Sequence, residues 1–400
     1  MRTALVGTLA LIAAGECQAQ TIVLDPAVEL RARYEHVEQD GSPRKADALT
    51  VRVRPSLTAR IAGWSALVEA EAVVAPIDRY NDGLNGRASY PIVADPENIE
   101  LNRAQIRYAR SAIAATAGRQ RIALADERFV GTAPWRQSEQ TFDAVRVNPG
   151  QPMGLSVDAT YSWNVRTVNG RDGFGARPTA IGGDNLFALA NYGTKVGTLT
   201  GFAYLVDQDE AAVQNQRLSS QTYGVRFAGS APVGAIKLGY VASWARQRDY
   251  RRNPNRYGAD YWLGELSASA SGFSALGGYE ILGADSGVAL TSVQAPLSSA
   301  FKFNGWTGKF VTTPADGLRD GYATLGYAVP QFGQLGSLAL NATWHDFTSD
   351  RAHRHYGSEI DMLATLKHGP KLFSIRYAHY EADNFATDTD KFWVQFDLSI

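Results

Sequence analysis

The chain has 400 residues, 45% apolar and 20% charged, with 39 basic against 40 acidic side chains and a net charge of −1. Without a basic field it lacks the footprint of a nucleic-acid binder, and past the first twenty residues no apolar run is long enough for a membrane-spanning helix. Cys17 is the one cysteine, so there is no disulfide framework and, outside the leader, no thiolate nucleophile or cysteine metal site.

The leader MRTALVGTLALIAAGECQAQ places Arg2 before an apolar run from Ala4 to Ala14, followed by small residues. This is the pattern of a secretory signal peptide, 1–19, cleaved after Ala19. A transmembrane anchor would need a longer run, and Glu16 stands where a lipidated Cys17 would have a small neighbour. Removing Arg2 and Glu16 leaves the net charge at −1. The exported remainder, 20–400, shows no linker, composition shift or repeat and reads as one domain. It is mildly hydrophilic yet rich in aromatics, with 18 Tyr, 16 Phe and 8 Trp. That profile fits an outer-membrane barrel, where apolar residues facing lipid alternate with polar residues facing water.

The alternation is legible from the start of this domain. ELRARYE sets Leu30, Ala32 and Tyr34 against Glu29, Arg31, Arg33 and Glu35, and ALTVRVRPSL sets Val51 and Val53 against Arg52 and Arg54. In GLSVDATYSWNVRT, Leu155, Val157, Ala159, Tyr161, Trp163 and Val165 share one face, with Asp158 and Arg166 on the other. A period of two over twelve residues is a strand signal. KFWVQFDLSI repeats it at the very end of the chain.

Strands are expected near 28–37, 49–60, 64–75, 99–110, 113–122, 141–147, 154–168, 186–193, 196–206, 220–228 and 235–246. Further strands follow near 257–269, 273–283, 321–329, 337–347, 357–367, 371–382 and 390–400. Long connections (76–98, 123–140) alternate with short ones (Gly63, Arg110 to Ala112), the asymmetry of outer loops and periplasmic turns. The expectation is an all-β, transmembrane, antiparallel up-and-down β-barrel of 18 strands, with 284–320 as one long outer loop. Sixteen strands is the alternative, and counting 301–310 as a strand would give nineteen. A soluble sandwich would not need six apolar residues in a row on one strand face.

By phase, Arg31, Arg33, Arg52, Arg54, Arg103, Arg107, Arg146 and Arg166 fall opposite apolar faces and point into the lumen, with Glu29, Glu35, Glu69, Glu71 and Asp158 beside them. Arginine outnumbers lysine 31 to 8, which favours the planar fork that grips carboxylates. One reading is a ladder of weak sites for anions or sugar hydroxyls; the other is a set of ion pairs that brace the wall. Arg119 and Arg121 share parity with the lipid-facing Ile113, Ala115 and Ala117. Either a bulge at Gly118 flips them inward, the preferred reading, or they snorkel at a rim. In TFDAVRV, Asp143 and Arg146 lie on opposite faces, so one of them must sit at a rim.

Several short pieces, in this order and spacing, carry a likeness. Gly118-Arg119-Gln120-Arg121 is followed by Trp135-Arg136-Gln137 and Phe142-Asp143-Ala144-Val145. Arg54-Pro55, Gly317-Leu318-Arg319-Asp320-Gly321-Tyr322, Trp344-His345-Asp346-Phe347 and Tyr356-Gly357-Ser358-Glu359-Ile360-Asp361 complete the set. Together they resemble the alginate-export family of outer-membrane barrels, over almost the whole exported chain. The resemblance implies an eighteen-stranded monomeric barrel acting as a passive channel for an anionic polysaccharide through an arginine-lined lumen. It carries Arg54 and Arg121 over as lumen cations, and Glu359 and Asp361 as wall acids. Arg119 and Arg136, within its motifs, join the residues of the substrate path. The chain is shorter than an alginate exporter and has smaller loops.

An outer-membrane enzyme is the rival class. His345 shares the lumen phase of Asn341 and Thr343, His379 lies at a strand end, and His353 and His355 neighbour Asp350. None forms a nucleophile–base arrangement, and no catalytic residue, metal ligand or cofactor site is expected. A third class is a purely structural barrel, with a lumen closed by salt bridges. The basic segment ARQRDYRRNPNRYGADYW (245–262) reads as an outer loop that collects polyanions or binds lipopolysaccharide. The expected partners are a saccharide solute, outer-membrane lipid and lipopolysaccharide of a Gram-negative cell, and the barrel-assembly machinery. A general small-solute porin is the alternative function.

Overall fold

A computed structural model describes residues 21–111, 113–150 and 154–400. The expected signal peptide at 1–19, and Ala112 of the expected Arg110–Ala112 turn, lie outside the described residues. Eighteen strands run in order: β1 (Val23–Gln39), β2 (Ala46–Ile61), β3 (Trp64–Arg79), β4 (Asn98–Arg110), β5 (Ile113–Gln120), β6 (Thr141–Asn148), β7 (Leu155–Arg166), β8 (Ala180–Thr194) and β9 (Gly197–Val206). The second half comprises β10 (Ser220–Val233), β11 (Ile236–Asp249), β12 (Gly258–Ala270), β13 (Phe273–Leu282), β14 (Leu318–Val329), β15 (Ser337–Thr348), β16 (His355–His368), β17 (Lys371–Ala382) and β18 (Thr389–Ser399). Each strand pairs antiparallel with its sequence neighbours, and β1 pairs with β18 from Glu29↔Ser399 to Gln39↔Thr389. Closure leaves no free edge, which satisfies every interior backbone group where lipid offers no partner.

Segment 301–310 is a loop carrying one short 3-10 turn, so the count is eighteen, as expected. Short turns gather at one end and long connections at the other. The outward face carries the apolar belt: Trp64, Ile106, Trp163, Trp262, Leu325, Trp344 and Phe373 all stand exposed.

Local phase departs from strict alternation where strands slip. Val165 was expected on the lipid face with Trp163; instead Trp163 is exposed and Val165 is 3% exposed. Against β6, β7 advances from Ser162 to Asn164 while its partner advances only from Ala144 to Asp143, so one extra residue in β7 reverses the side on which its last residues point. No bulge occurs at Gly118, contrary to expectation, because β4–β5 and β5–β6 pairing runs unbroken through it. Gly118 instead has φ +109°, and a Cβ there would collide with the Ala104 carbonyl. The rim alternative describes Arg119, which stands opposite Asp143 in register and donates from Nε to it at 2.8 Å. Asp143 shares its side with the exposed Val145 and Val147, whereas Phe142 and Ala144 are buried. Arg121 escapes the parity question because β5 ends at Gln120.

The 245–262 segment is mostly strand rather than loop, since β11 reaches Asp249 and β12 begins at Gly258. Its cations are partly neutralised, with Arg246 on Asp260 and Arg251 on Asp184.

Candidate functional site

Two long connections turn into the barrel instead of standing above it. Inner loop 1 (residues 121–140) leaves β5 and crosses to the wall of β18, β1 and β2. Arg31 Nη1 donates to the Pro134 carbonyl at 2.9 Å, and Arg33 Nη2 donates to that of Trp135. The Gln137 amide donates to Asp95 at 2.8 Å, and its side chain to Thr50 Oγ1 at 2.8 Å. Inner loop 2 (residues 283–317) docks on the wall of β13 to β16. Trp306 N donates to Asp361 Oδ2 at 3.2 Å, Thr307 N to Glu359 Oε1 at 2.7 Å, and Asn304 to both Glu280 and Asp320. These acids sit on β13, β14 and β16, with His345 Nδ1 of β15 hydrogen-bonded to the Asp320 carboxylate at 2.9 Å. Buried carboxylates thus satisfy loop amides that water cannot reach. The loops join through a Val130–Leu297 bridge.

Where the loops meet the β17–β1 wall, aromatic rings stack. Trp135 lies on Phe301 with centroids 3.8 Å apart and planes 5° from parallel, and Phe301 faces Trp306 at 5.9 Å and 13°. The Arg33 guanidinium is 3.9 Å from the Trp135 ring; that of Arg376 is 4.6 Å from Trp135 and 4.9 Å from Trp306. Desolvated contacts of this kind are each worth up to about 2 kcal/mol.

The expected lumen cations divide into two groups. The larger group is neutralised. Arg54 meets Glu71, Glu139 and Glu29. Arg103 and Arg121 share Glu69, and Arg121 also bonds Glu139 at 2.6 Å. Arg33 pairs with Asp95 at 3.1 Å, Arg146 with Asp158, and Arg166 with Glu100. Arg31 reaches Asp397 at 2.7 Å. Glu69 and Glu71 are buried within this mesh.

The smaller group is under-compensated. Among the described residues Arg52 meets one acid, Glu29 at 3.6 Å, and its buried Nε has no partner. Arg52 also stands directly opposite Arg31 in the β1–β2 register. Like charges so placed destabilise a sheet. Arg107 and Arg136 form no ion pair among the described residues. Neither does Arg376, whose Nε is buried and unpartnered. On inner loop 2, burial and then the neighbouring Lys391 push the Lys309 ammonium down to about 8.

Arg376, Trp135, Phe301 and Trp306 were not singled out in the sequence as one constellation. KLFSIRYAHY does place Arg376 in the inward phase with Ser374 and Ala378, so alternation alone was sufficient to find it. The convergence of rings from two distant loops had no such local signal. His379 pairs with Asp390, and His355 bonds Asp346 and Asp383 rather than Asp350.

Residues 23–248 match a protein-family model described as alginate export. No curated protein sequence matches the chain. Among solved structures, Pseudomonas aeruginosa OccK8 (OprE) superposes with a TM-score of 0.67 at 14% identity, covering 94% of this chain and 98% of that one. Acinetobacter baumannii OccAB4 gives 0.68 at 11%, covering 96% and 99%. The P. aeruginosa outer membrane protein opdK gives 0.66 at 15%, covering 94% and 98%. At these identities the likeness is one of fold.

Proposed function

The chain belongs to the alginate-export family of outer-membrane barrels, and from that premise we propose that it is a monomeric passive channel for anionic or hydroxyl-rich saccharides. The observation that carries this reading is the register of Arg31 against Arg52 beside Arg376, which has no ion-pair partner among the described residues. Bracing accounts for Arg31 on Asp397 and for Arg52 on Glu29, an acid that Arg54 shares; it does not account for Arg376. Such a cluster attracts carboxylates, and the adjoining Trp135–Phe301–Trp306 stack offers flat faces to the C–H surface of a sugar ring. Weak binding spread over several groups lets a solute leave as readily as it enters. Arg136, Arg103, Arg107, Arg121, Arg146 and Arg166 extend the path. Glu359 and Asp361 hold inner loop 2 to β16. No catalytic role is proposed for any residue.

The test is single-channel conductance of the refolded protein in a planar bilayer, with and without uronate oligomers. Steady conductance that prefers anions and is blocked by uronates is expected. Silence under all conditions would overturn the channel, whereas cation preference with indifference to uronates would leave only a porin. The general small-solute porin is the second reading, favoured by the pinning of both inner loops across the lumen, which narrows the path for a polymer.

A further inference from the structure

Beneath inner loop 1, against the inner wall of β4 to β8, lies a separate cavity of about 450 Å³. Small-molecule sites commonly fall between roughly 300 and 1,000 Å³. The sequence makes the room with small residues, including Ala109, Ala114 and Ser156, and Leu124 of the loop forms part of the lining. The cavity lies towards the short turns, since Ser111 and Gly150 also border it. It is thus distinct from the aromatic stack at the β17–β1 wall.

Register brings two arginines into this space. Arg107 stands opposite Thr116, and Thr116 stands opposite Arg146. Their backbones are therefore about 10 Å apart, two interstrand spacings. Asp158 fixes Arg146 through Nε at 2.8 Å and Nη2, and Asn148 donates to the same carboxylate oxygen at 2.8 Å. Arg146 Nη1 has no hydrogen-bond partner among the described residues. Arg107 is exposed and forms neither an ion pair nor a side-chain hydrogen bond among them, so its fork is unoccupied. The cavity contains one cation more than it contains acids.

We propose that this cavity is a second binding site, on the short-turn side of the inner loops, for one small carboxylate-bearing solute of about monosaccharide size. The Arg107 fork grips the carboxylate, Arg146 supplies a second donor, and Leu124 covers the ring. Two sites in series, separated by inner loop 1, give the channel the multi-site weak binding that throughput requires. The proposal rests on the channel reading but not on the selectivity of the outer arginine cluster.

Calorimetric titration of the refolded full chain in detergent micelles, with galacturonate and galactose as probes, tests it. Folding of each variant is checked by heat-modifiable gel mobility. The wild type should bind two galacturonates, and R107Q should weaken one of them by about tenfold or more while R107K weakens it less, because an ammonium lacks the fork. R376Q should weaken the other. Unchanged stoichiometry and affinity in folded R107Q, or equal binding of galactose at this site, would overturn the proposal. If R107Q removes one site while bilayer currents ignore uronates, the site stands and the saccharide-channel reading fails.

Discussion

Arg31 of β1 stands directly opposite Arg52 of β2 on the inner face of the wall, and a single carboxylate, Glu29, lies within 4.0 Å of Arg52 among the described residues. Replacing Arg52 by Gln removes a repulsion and a buried, half-satisfied cation. Stability should hold or rise by up to about 1 kcal/mol, while the reversal potential in a KCl gradient shifts towards cations. Charge reversal at Arg54, by contrast, addresses a group enclosed by Glu71, Glu139 and Glu29, so it tests the integrity of the wall rather than the path. A loss of stability in Arg52→Gln with unchanged selectivity would assign Arg52 to bracing.

Trp135 anchors inner loop 1 through its stack on Phe301 and its contacts with Arg33 and Arg376. Trp135→Ala should cost about 2 kcal/mol of anchoring, which raises the undocked fraction of the loop about 30-fold. Larger conductance with more current noise is the expected record; an unaltered trace would mean that the Arg31 and Arg33 bonds to loop carbonyls suffice.

Glu69 serves Arg103 and Arg121 together. Removing it as Glu69→Ala strands partly buried cations, a change that costs about 3–5 kcal/mol when a buried pair is broken. Heat-modifiable mobility should be lost at a lower temperature than in the wild type. Glu38→Ala, at an exposed pair with Lys45, should leave that temperature unchanged.

Lys309 titrates near 8 because burial disfavours its charge. As pH rises from 7 to 9 the lumen loses one positive charge, so anion preference should fall over that interval, and Lys309→Met should flatten the curve. Folding follows the same linkage with a definite sign. Between about 8 and the ordinary lysine value of 10.5 the unfolded chain holds the proton that the folded one has released. Stability therefore rises with pH in that window and is flat below it. Denaturant midpoints from pH 7 to 10 check the sign.

Leu325 lies 67% exposed on the outer belt. Leu325→Arg should impair insertion by up to about 2–4 kcal/mol, depending on its depth in the bilayer. Refolding yield into liposomes measures it.

Strand number, the up-and-down order and the inward placement of Arg31, Arg33, Arg52 and Arg54 were legible in the sequence. All of these follow from a period of two, a property that successive residues carry without reference to the rest of the chain. The same reasoning failed at Val165 and left Arg119 open. Side is conserved along a strand only until the register slips, and the slip belongs to the pairing of Ser162 and Asn164 with Ala144 and Asp143 of β6.

What the chain by itself determined is therefore the wall: which segments cross, which face meets lipid, and that the lumen is rich in guanidinium. Only the tertiary structure decided which of those charges remain available. Neutralisation depends on acids brought from distant parts of the chain, such as Asp397 of β18 to Arg31 and Glu139 of inner loop 1 to Arg54. It depends also on two loops that turn inward because their amides and aromatic rings find buried carboxylates and guanidinium groups there. Coulombic and stacking contacts act over a few ångströms in space, a distance that sequence separation does not encode.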